Sequence, residues 1–158
     1  MINPKQKAFL DTIAWSEGTS THPLTKNDGY DVIVSGVNGK SVFTDYSDHP
    51  FAGGGSVLVR TGPPALYSTA AGRYQLLARY WKVYRFDLGL KDFSPASQDA
   101  VALQQIKERR ALDLIAAGEI EAAIVACANL WASLPGNGYG QGGRTMAALL
   151  EKHEELTA

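Results

Sequence analysis

Leu10, Ile13 and Glu17 recur at i, i+3 and i+7 with Phe9 beside them, which predicts an amphipathic helix over residues 4–17. Asn3 suits its N-cap, Pro4 its first helical position and Gly18 its C-terminal stop. Residues 18–69 then read as polar, loop-rich and strand-poor. Within them residues 31–34 and 42–44 are short β-prone runs, and Asn38-Gly39 is a hairpin-type turn signal in a connection longer than two residues. Gly53-Gly54-Gly55-Ser56, the apolar Val57-Leu58-Val59 and Pro63-Pro64 predict a mobile flap over 50–66, the alternative being an ordinary surface loop. From residue 70 the pattern turns helical, with Leu76, Leu77, Tyr80, Trp81 and Tyr84 in one stripe ending near Gly89. Ser94-Pro95 opens a helix carrying Val101, Ala102 and Ile106 and reaching towards Leu112 and Ile115, with Gly118 as terminator. A further helix is expected over 119–133, then a glycine-rich loop over 134–143, then a last helix over about 144–155. The expected class is α+β: one domain over 1–158, a helical bundle with a small β-containing lobe at about 18–69 inserted after the first helix. A cleft between lobe and bundle is the default place for a site.

Composition narrows the function classes. A chain of 158 residues with 45% hydrophobic and 20% charged residues fits a globular domain. The formal net charge of −1 comes without a basic stripe, which argues against a dedicated nucleic-acid binder. Lys107, Arg109 and Arg110 interleave with Glu108 and read as a solvated face. No run is long and apolar enough to span a bilayer, and the N-terminal residues lack a signal-peptide core, so synthesis in a cytosol without membrane insertion is expected. Cys127 shares a helical face with Ile120, Ala123, Ile124 and Trp131 and reads as a small buried apolar residue. His22, His49 and His153 have no metal-ligand spacing, so neither a metal nor another cofactor is expected.

The candidate chemistry centres on Glu17. A helix that buries its apolar face carries this carboxylate towards the core, where desolvation and the negative helix C-terminus both disfavour its ion. A carboxylic acid protonated at neutral pH is what a general acid requires; the alternative is a helix-end Glu in solvent. Three local motifs accompany it. They are Trp15-Ser16-Glu17-Gly18, then Ala71-Gly72-Arg73-Tyr74-Gln75 at a helix entrance, then Ala132-Ser133-Leu134-Pro135-Gly136-Asn137-Gly138-Tyr139-Gly140-Gln141. Gly72 would admit close approach of another chain or a ligand, and Gln75 both donates and accepts. Tyr74 and Tyr139 combine flat apolar faces with a polar tip, a mixture that suits sugars.

These motifs, in this order, resemble the lysozymes (endolysins) of lambda-type bacteriophages. The likeness runs from Lys7 to Gln141, through Ala14-Trp15-Ser16-Glu17-Gly18-Thr19, Gly29-Tyr30-Asp31-Val32-Ile33-Val34, Phe43-Thr44-Asp45-Tyr46-Ser47-Asp48-His49-Pro50, Ala71-Gly72-Arg73-Tyr74-Gln75-Leu76-Leu77 and Ser97-Gln98-Asp99-Ala100-Val101. The resemblance implies a lysozyme-like fold, cleavage of peptidoglycan glycan strands, and Glu17 as the catalytic glutamate. It further implies lytic transglycosylation between N-acetylmuramic acid and N-acetylglucosamine, closing a 1,6-anhydro ring. One alternative is a true lysozyme that pairs Glu17 with Asp31, Asp45 or Asp48 to hydrolyse the same bond. A second is a non-catalytic peptidoglycan-binding module.

In the implied cleft Tyr74 and Gln75 hold the sugar beside the cleavage point, and Ser68 bonds the N-acetyl region. Tyr30, Asp31 and Tyr46 come from the β lobe, Tyr139 and Gln141 from a lower lip, and 50–66 forms an upper lip. Some have a structural alternative: Tyr74 in the core, Gln75 as a helix-cap partner, Ser68 as a surface residue, and Asp31, like Asp45, satisfying turn backbone. Residues 51–67 and Gly142-Gly143-Arg144 depart from the family's pattern, and Arg110 stands where the family tends to have glycine. The expected setting is a monomer made in the host bacterial cytoplasm, acting on the periplasmic wall after release by a holin-like partner.

Overall fold

Helix α1 (Pro4–Glu17) is fixed at both ends by local chemistry. The Asn3 side chain accepts from the Gln6 N–H at 2.8 Å, while the Gln6 side chain accepts from the Asn3 N–H at 3.3 Å, a reciprocal capping box. Gly18 takes φ 76° and donates back to the Ala14 and Trp15 carbonyls. The helix buries Ala8, Phe9, Leu10, Thr12, Ile13, Ala14 and Ser16, a wider face than the apolar spacing predicts. Thr12 can lie inside because its hydroxyl donates to the Ala8 carbonyl at 2.8 Å.

The computed structural model describes residues 2–136 and 143–158, which fall into two compact units. The class is α+β, as the pattern predicts. In the first unit, residues 1–18 and 102–158, α1 packs against α4 (Leu112–Ala116) and α6 (Met146–Thr157), and α5 (Ile120–Ala126) against both of these. Phe9, Ile13, Ile106, Ile115, Ile124, Leu134 and Leu149 are fully buried there. The unit boundary falls within α3 (Pro95–Glu108). The expected run from α3 into 112–115 is interrupted: Arg110 adopts φ 57°, and the Ala111 N–H returns to the Ile106 carbonyl at 3.1 Å. The helix expected over 119–133 ends at Ala126. Turns follow, with the Leu130 N–H on the Cys127 carbonyl and the Leu134 N–H on the Trp131 carbonyl. Cys127 and Trp131 are both buried, so the turns keep inside the residues that the helical spacing places on one face, and Leu134 is buried after them. Helix α6 starts two residues later than expected, where Thr145 accepts from the Ala148 N–H at 3.1 Å.

The second unit, residues 19–101, carries two small antiparallel sheets. Strand β1 (Val32–Gly36) pairs with β2 (Gly39–Val42) through Val32↔Val42 and Ile33↔Ser41. Their connection is only the two residues Val37-Asn38, shorter than expected, and Gly39 supplies the left-handed position at φ 96°. The segment 50–66, expected as a mobile flap, contains most of a second hairpin, β3 (Val57–Arg60) paired with β4 (Leu66–Ser68), so it is richer in strands than its composition suggests. β1 lies against it: the Val37 N–H donates to the Leu58 carbonyl at 2.9 Å, and a Cβ on Gly36 would lie 2.4 Å from Val57. The core of the unit is Ala71, Leu76, Trp81, Phe93 and Val101, with Phe43, Tyr84, Leu88 and Leu90 around it. Helix α2 (Ala78–Leu88) begins well after residue 70. Ala71 and Leu76 exchange backbone hydrogen bonds at 3.1 and 2.9 Å and close residues 72–75 as a reverse turn, with Gln75 at φ 53°. The Ala71 to Gln75 motif is therefore a bridged turn, and not a helix entrance.

Candidate active site

The first unit presents one carboxylate in a pocket of about 480 Å³ lined by Ser16, Glu17, Gly18, Ala132, Ser133, Gly143 and Arg144. Glu17 is the last residue of α1, set there by the glycine that ends the helix. It is half-buried, and both donors of Ser133 converge on its Oε2: the backbone N–H at 3.3 Å and the hydroxyl in a short hydrogen bond. Burial pushes the Glu17 carboxyl above the ordinary carboxylate range, and the two Ser133 hydrogen bonds pull it part of the way back. The Ser16 hydroxyl lies 2.8 Å from that of Ser133.

The segments on either side of residues 137–142 are tied to the end of α1. The Arg144 N–H donates to the Ser133 carbonyl at 2.8 Å, and the Arg144 Nη2 donates to the Trp15 carbonyl at 3.2 Å. A side chain at Gly143 would meet the Ser133 carbonyl oxygen at 2.4 Å, so only glycine fits against that backbone. Ser133 and Arg144 received no role from sequence reasoning. Ser133 stood inside the third motif, but only the fold brings it to a carboxylate 116 residues away.

The second unit gathers the residues expected to touch sugar into hydrogen-bonded clusters. Tyr74 is buried, and its hydroxyl donates to Asp99 Oδ1 at 2.6 Å; the Tyr30 hydroxyl donates to the same oxygen at 2.9 Å. Burial, then the Asp99 charge, push the Tyr30 phenol up to about 12, and burial pushes that of Tyr74 higher still. The Arg73 guanidinium lies 5.1 Å from the Tyr30 ring centre and 5.7 Å from that of Tyr74, donating to the Asp28 carbonyl at 2.8 Å. Gly72, expected to admit close approach of another chain or a ligand, is approached by this chain's own Gln98. The Gln98 Oε1 accepts from the Arg73 N–H at 2.8 Å, and its Nε2 donates to the Tyr30 and Phe93 carbonyls.

Asp31 is buried and accepts from the Thr25 hydroxyl at 2.5 Å and the Lys26 N–H at 2.9 Å. Asp45 accepts from the Ser47 N–H at 2.9 Å. Asp48 accepts from Trp81 Nε1 and the His49 N–H, both at 2.8 Å, and pairs with Arg85 at 2.8 Å. Tyr46 accepts from Asn27 Nδ2 at 3.0 Å, Ser68 from the Ala70 N–H at 3.1 Å, and Gln75 Nε2 donates to the Gly72 carbonyl at 2.9 Å. Tyr30, Tyr46, Ser68 and Gln75 keep exposed surface. Tyr139 and Gln141 lie outside the described residues.

The α+β architecture with these two small sheets is that of a lysozyme-like enzyme of the phage type. The chain belongs to the Endolysin family, whose model matches residues 7–158. These are enzymes that degrade cell-wall peptidoglycan. It is 59% identical over 155 residues to the endolysin of Escherichia phage lambda, covering 98% of this chain and 92% of that one. It is 60% identical over 146 residues to the endolysin of Escherichia phage P2, covering 89% and 87%. Among solved structures it resembles bacteriophage lambda lysozyme complexed with a chitohexasaccharide, with TM-score 0.89, 56% identity and coverage of 100% of this chain and 97% of that chain. A second structure, of lysozyme from bacteriophage lambda, gives TM-score 0.84 at 55% identity, with coverage of 99% and 96%.

Proposed function

We propose that this endolysin is a lytic transglycosylase that cuts the β-1,4 bond between N-acetylmuramic acid and N-acetylglucosamine. The observation that carries the reading is the solitary carboxylate: among the described residues lining its pocket, Glu17 is the only acid. Asp31, Asp45 and Asp48, the candidates for a second carboxylate, are each engaged by donors of their own surroundings. A hydrolase of the usual kind needs two carboxyl groups, one to activate water or form an adduct.

One acid suffices if the sugar supplies the nucleophile. Protonated Glu17 gives its proton to the glycosidic oxygen, and the bond from that oxygen to the muramoyl C1 breaks. The muramoyl N-acetyl group stabilises the oxocarbenium-like centre. Glu17, now ionised, takes the proton of the 6-hydroxyl while its oxygen bonds to C1, closing the 1,6-anhydro ring and restoring the acid. No water enters the product. The likeness to a lysozyme complexed with a chitohexasaccharide supports an oligosaccharide substrate. Sugar contacts fall to Tyr30, Tyr46, Ser68 and Gln75, which keep exposed surface, while buried Asp31 and Tyr74 brace the turns that carry them.

Mass spectrometry of muropeptides released from purified peptidoglycan tests this. The expected fragments end in anhydromuramic acid, one water lighter than hydrolytic ends. A digest containing only reducing muramic ends overturns the transglycosylase reading and restores the lysozyme one.

A further inference from the structure

Glu17 has two oxygens, and the structure treats them differently. A backbone N–H can only donate, so the oxygen it faces must keep a lone pair towards it. The Ser133 N–H faces Oε2, and the Ser133 hydroxyl meets the same atom. With that hydroxyl's single proton committed to Glu17, its contact with Ser16 has one remaining sense: Ser16 donates to Ser133 at 2.8 Å. Ser16 is buried beside Glu17, so it holds this direction away from competing solvent. The Ser133 backbone is itself fixed, since its carbonyl accepts from the Arg144 N–H and Gly143 packs against it.

We propose that Ser133 is a positioning residue that decides which oxygen of the acid carries the proton. By aiming two donors at Oε2 it keeps that atom the acceptor and leaves the transferable proton on Oε1, while Ser16 sets the sense of the Ser133 hydroxyl. The same pair of donors then stabilises the carboxylate formed after proton transfer, so that the ion persists long enough to accept the second proton. This inference rests on Glu17 being the acid.

The test is a Glu17 titration followed by 13C NMR of its carboxyl carbon in the full-length protein, alongside the pH dependence of kcat on purified peptidoglycan. In Ser133→Ala the carboxyl midpoint is expected to rise by about one pH unit, because a hydrogen bond to the ion is lost. The alkaline limb of kcat should move with it, and kcat should fall at least tenfold while KM stays within a factor of two. Ser133→Thr, which keeps the hydroxyl, should restore both midpoint and rate, and Ser16→Ala should shift the midpoint in the same direction by a smaller amount. An unmoved midpoint in a folded Ser133→Ala protein overturns the proposal, as does a loss expressed only in KM. Full activity in Glu17→Gln removes the acid reading itself, a result the NMR midpoint in Ser133→Ala cannot produce.

Discussion

The guanidinium of Arg144 lies 4.1 Å from the centre of the Trp15 ring and donates to the Trp15 carbonyl at 3.2 Å. One side chain therefore clamps the segment after residue 142 onto the last turn of the helix that carries Glu17. Arg144→Ala should cost about 1 kcal/mol, combining a cation–π contact with a hydrogen bond. At this chain length that corresponds to a fall of about 2–4 °C in Tm by calorimetry. Arg144→Lys should recover less than half of it, because an ammonium lacks the planar stack. An unchanged Tm in Arg144→Ala removes the clamp from the stability argument.

Arg110 is a local conflict that one substitution should relieve. It is an exposed residue at φ 57°, in the left-handed position that ends α3. An L side chain there costs about 1–2 kcal/mol, whereas glycine adopts the conformation freely but has more freedom to lose on folding. The difference leaves Arg110→Gly more stable by about 0.5–1 kcal/mol. A rise in the urea midpoint with an unchanged slope checks this, and a fall contradicts it.

The parts legible in the sequence are those written in neighbouring residues. Asn3, Pro4, Gln6 and Gly18 specify α1 within one turn of each end, so Glu17's place at the helix terminus follows from the chain alone. Ser94 and Pro95 likewise mark the start of α3. The losses occur where distant backbone decides. The stripe from Leu76 to Tyr84 looks helical throughout, yet Ala71 pairs with Leu76 and delays α2 to residue 78. Residues 120–131 keep a helical spacing of buried positions although the helix stops at Ala126, because successive turns present the same side chains inward. The Ser133–Glu17 contact belongs to neither periodicity nor local propensity. It exists only because the segment after α5 folds back onto the end of α1.

Gly72 is sterically committed. A Cβ there would lie 2.4 Å from Gln98 Oε1 and 3.0 Å from Phe93, at φ 86°. Gly72→Ala must displace an amide that holds three backbone groups, so a loss of about 2–4 kcal/mol is expected. Combining it with Gln98→Ala removes the closest clash but neither the tight approach to Phe93 nor the strained φ, and leaves those three groups unpaired. The double variant should therefore remain below wild type in a denaturant titration. Equal stability of Gly72→Ala and wild type contradicts the clash.

His49 predicts how stability responds to acid. Its Nδ1 accepts from the Phe51 N–H at 3.1 Å and its Nε2 donates to the Leu76 carbonyl at 2.8 Å, which fixes a neutral ring against Phe93. Burial lowers its proton affinity, more than the Leu76 carbonyl and the nearby Asp48 charge raise it. Burial lowers His22 and His153 likewise. The unfolded chain therefore takes up protons first, and the stability from neutral histidine is complete above about pH 6.5 and declines as pH falls below it. His49→Gln should be less stable at pH 8 but show a shallower decline between pH 7 and 5, read from urea midpoints. A decline as steep as wild type assigns the effect to the other two histidines.

Glu17→Gln separates chemistry from fold. The amide keeps an oxygen to accept from Ser133 but has no proton of suitable acidity to give, so kcat on peptidoglycan should drop by at least about a thousandfold. Stability should move the other way. The folded carboxyl binds its proton more tightly than the unfolded one, so it stabilises the fold below the unfolded pKa and loses that contribution as pH rises through the folded value. Burial disfavours the ionised side chain relative to the unfolded chain, so the neutral amide should raise stability at pH 7. The gain should shrink towards pH 4, where wild-type Glu17 is itself neutral. Melting curves at the two pH values check the sign: a variant less stable than wild type at pH 7 would mean that the Ser133 donors outweigh the cost of burying the charge.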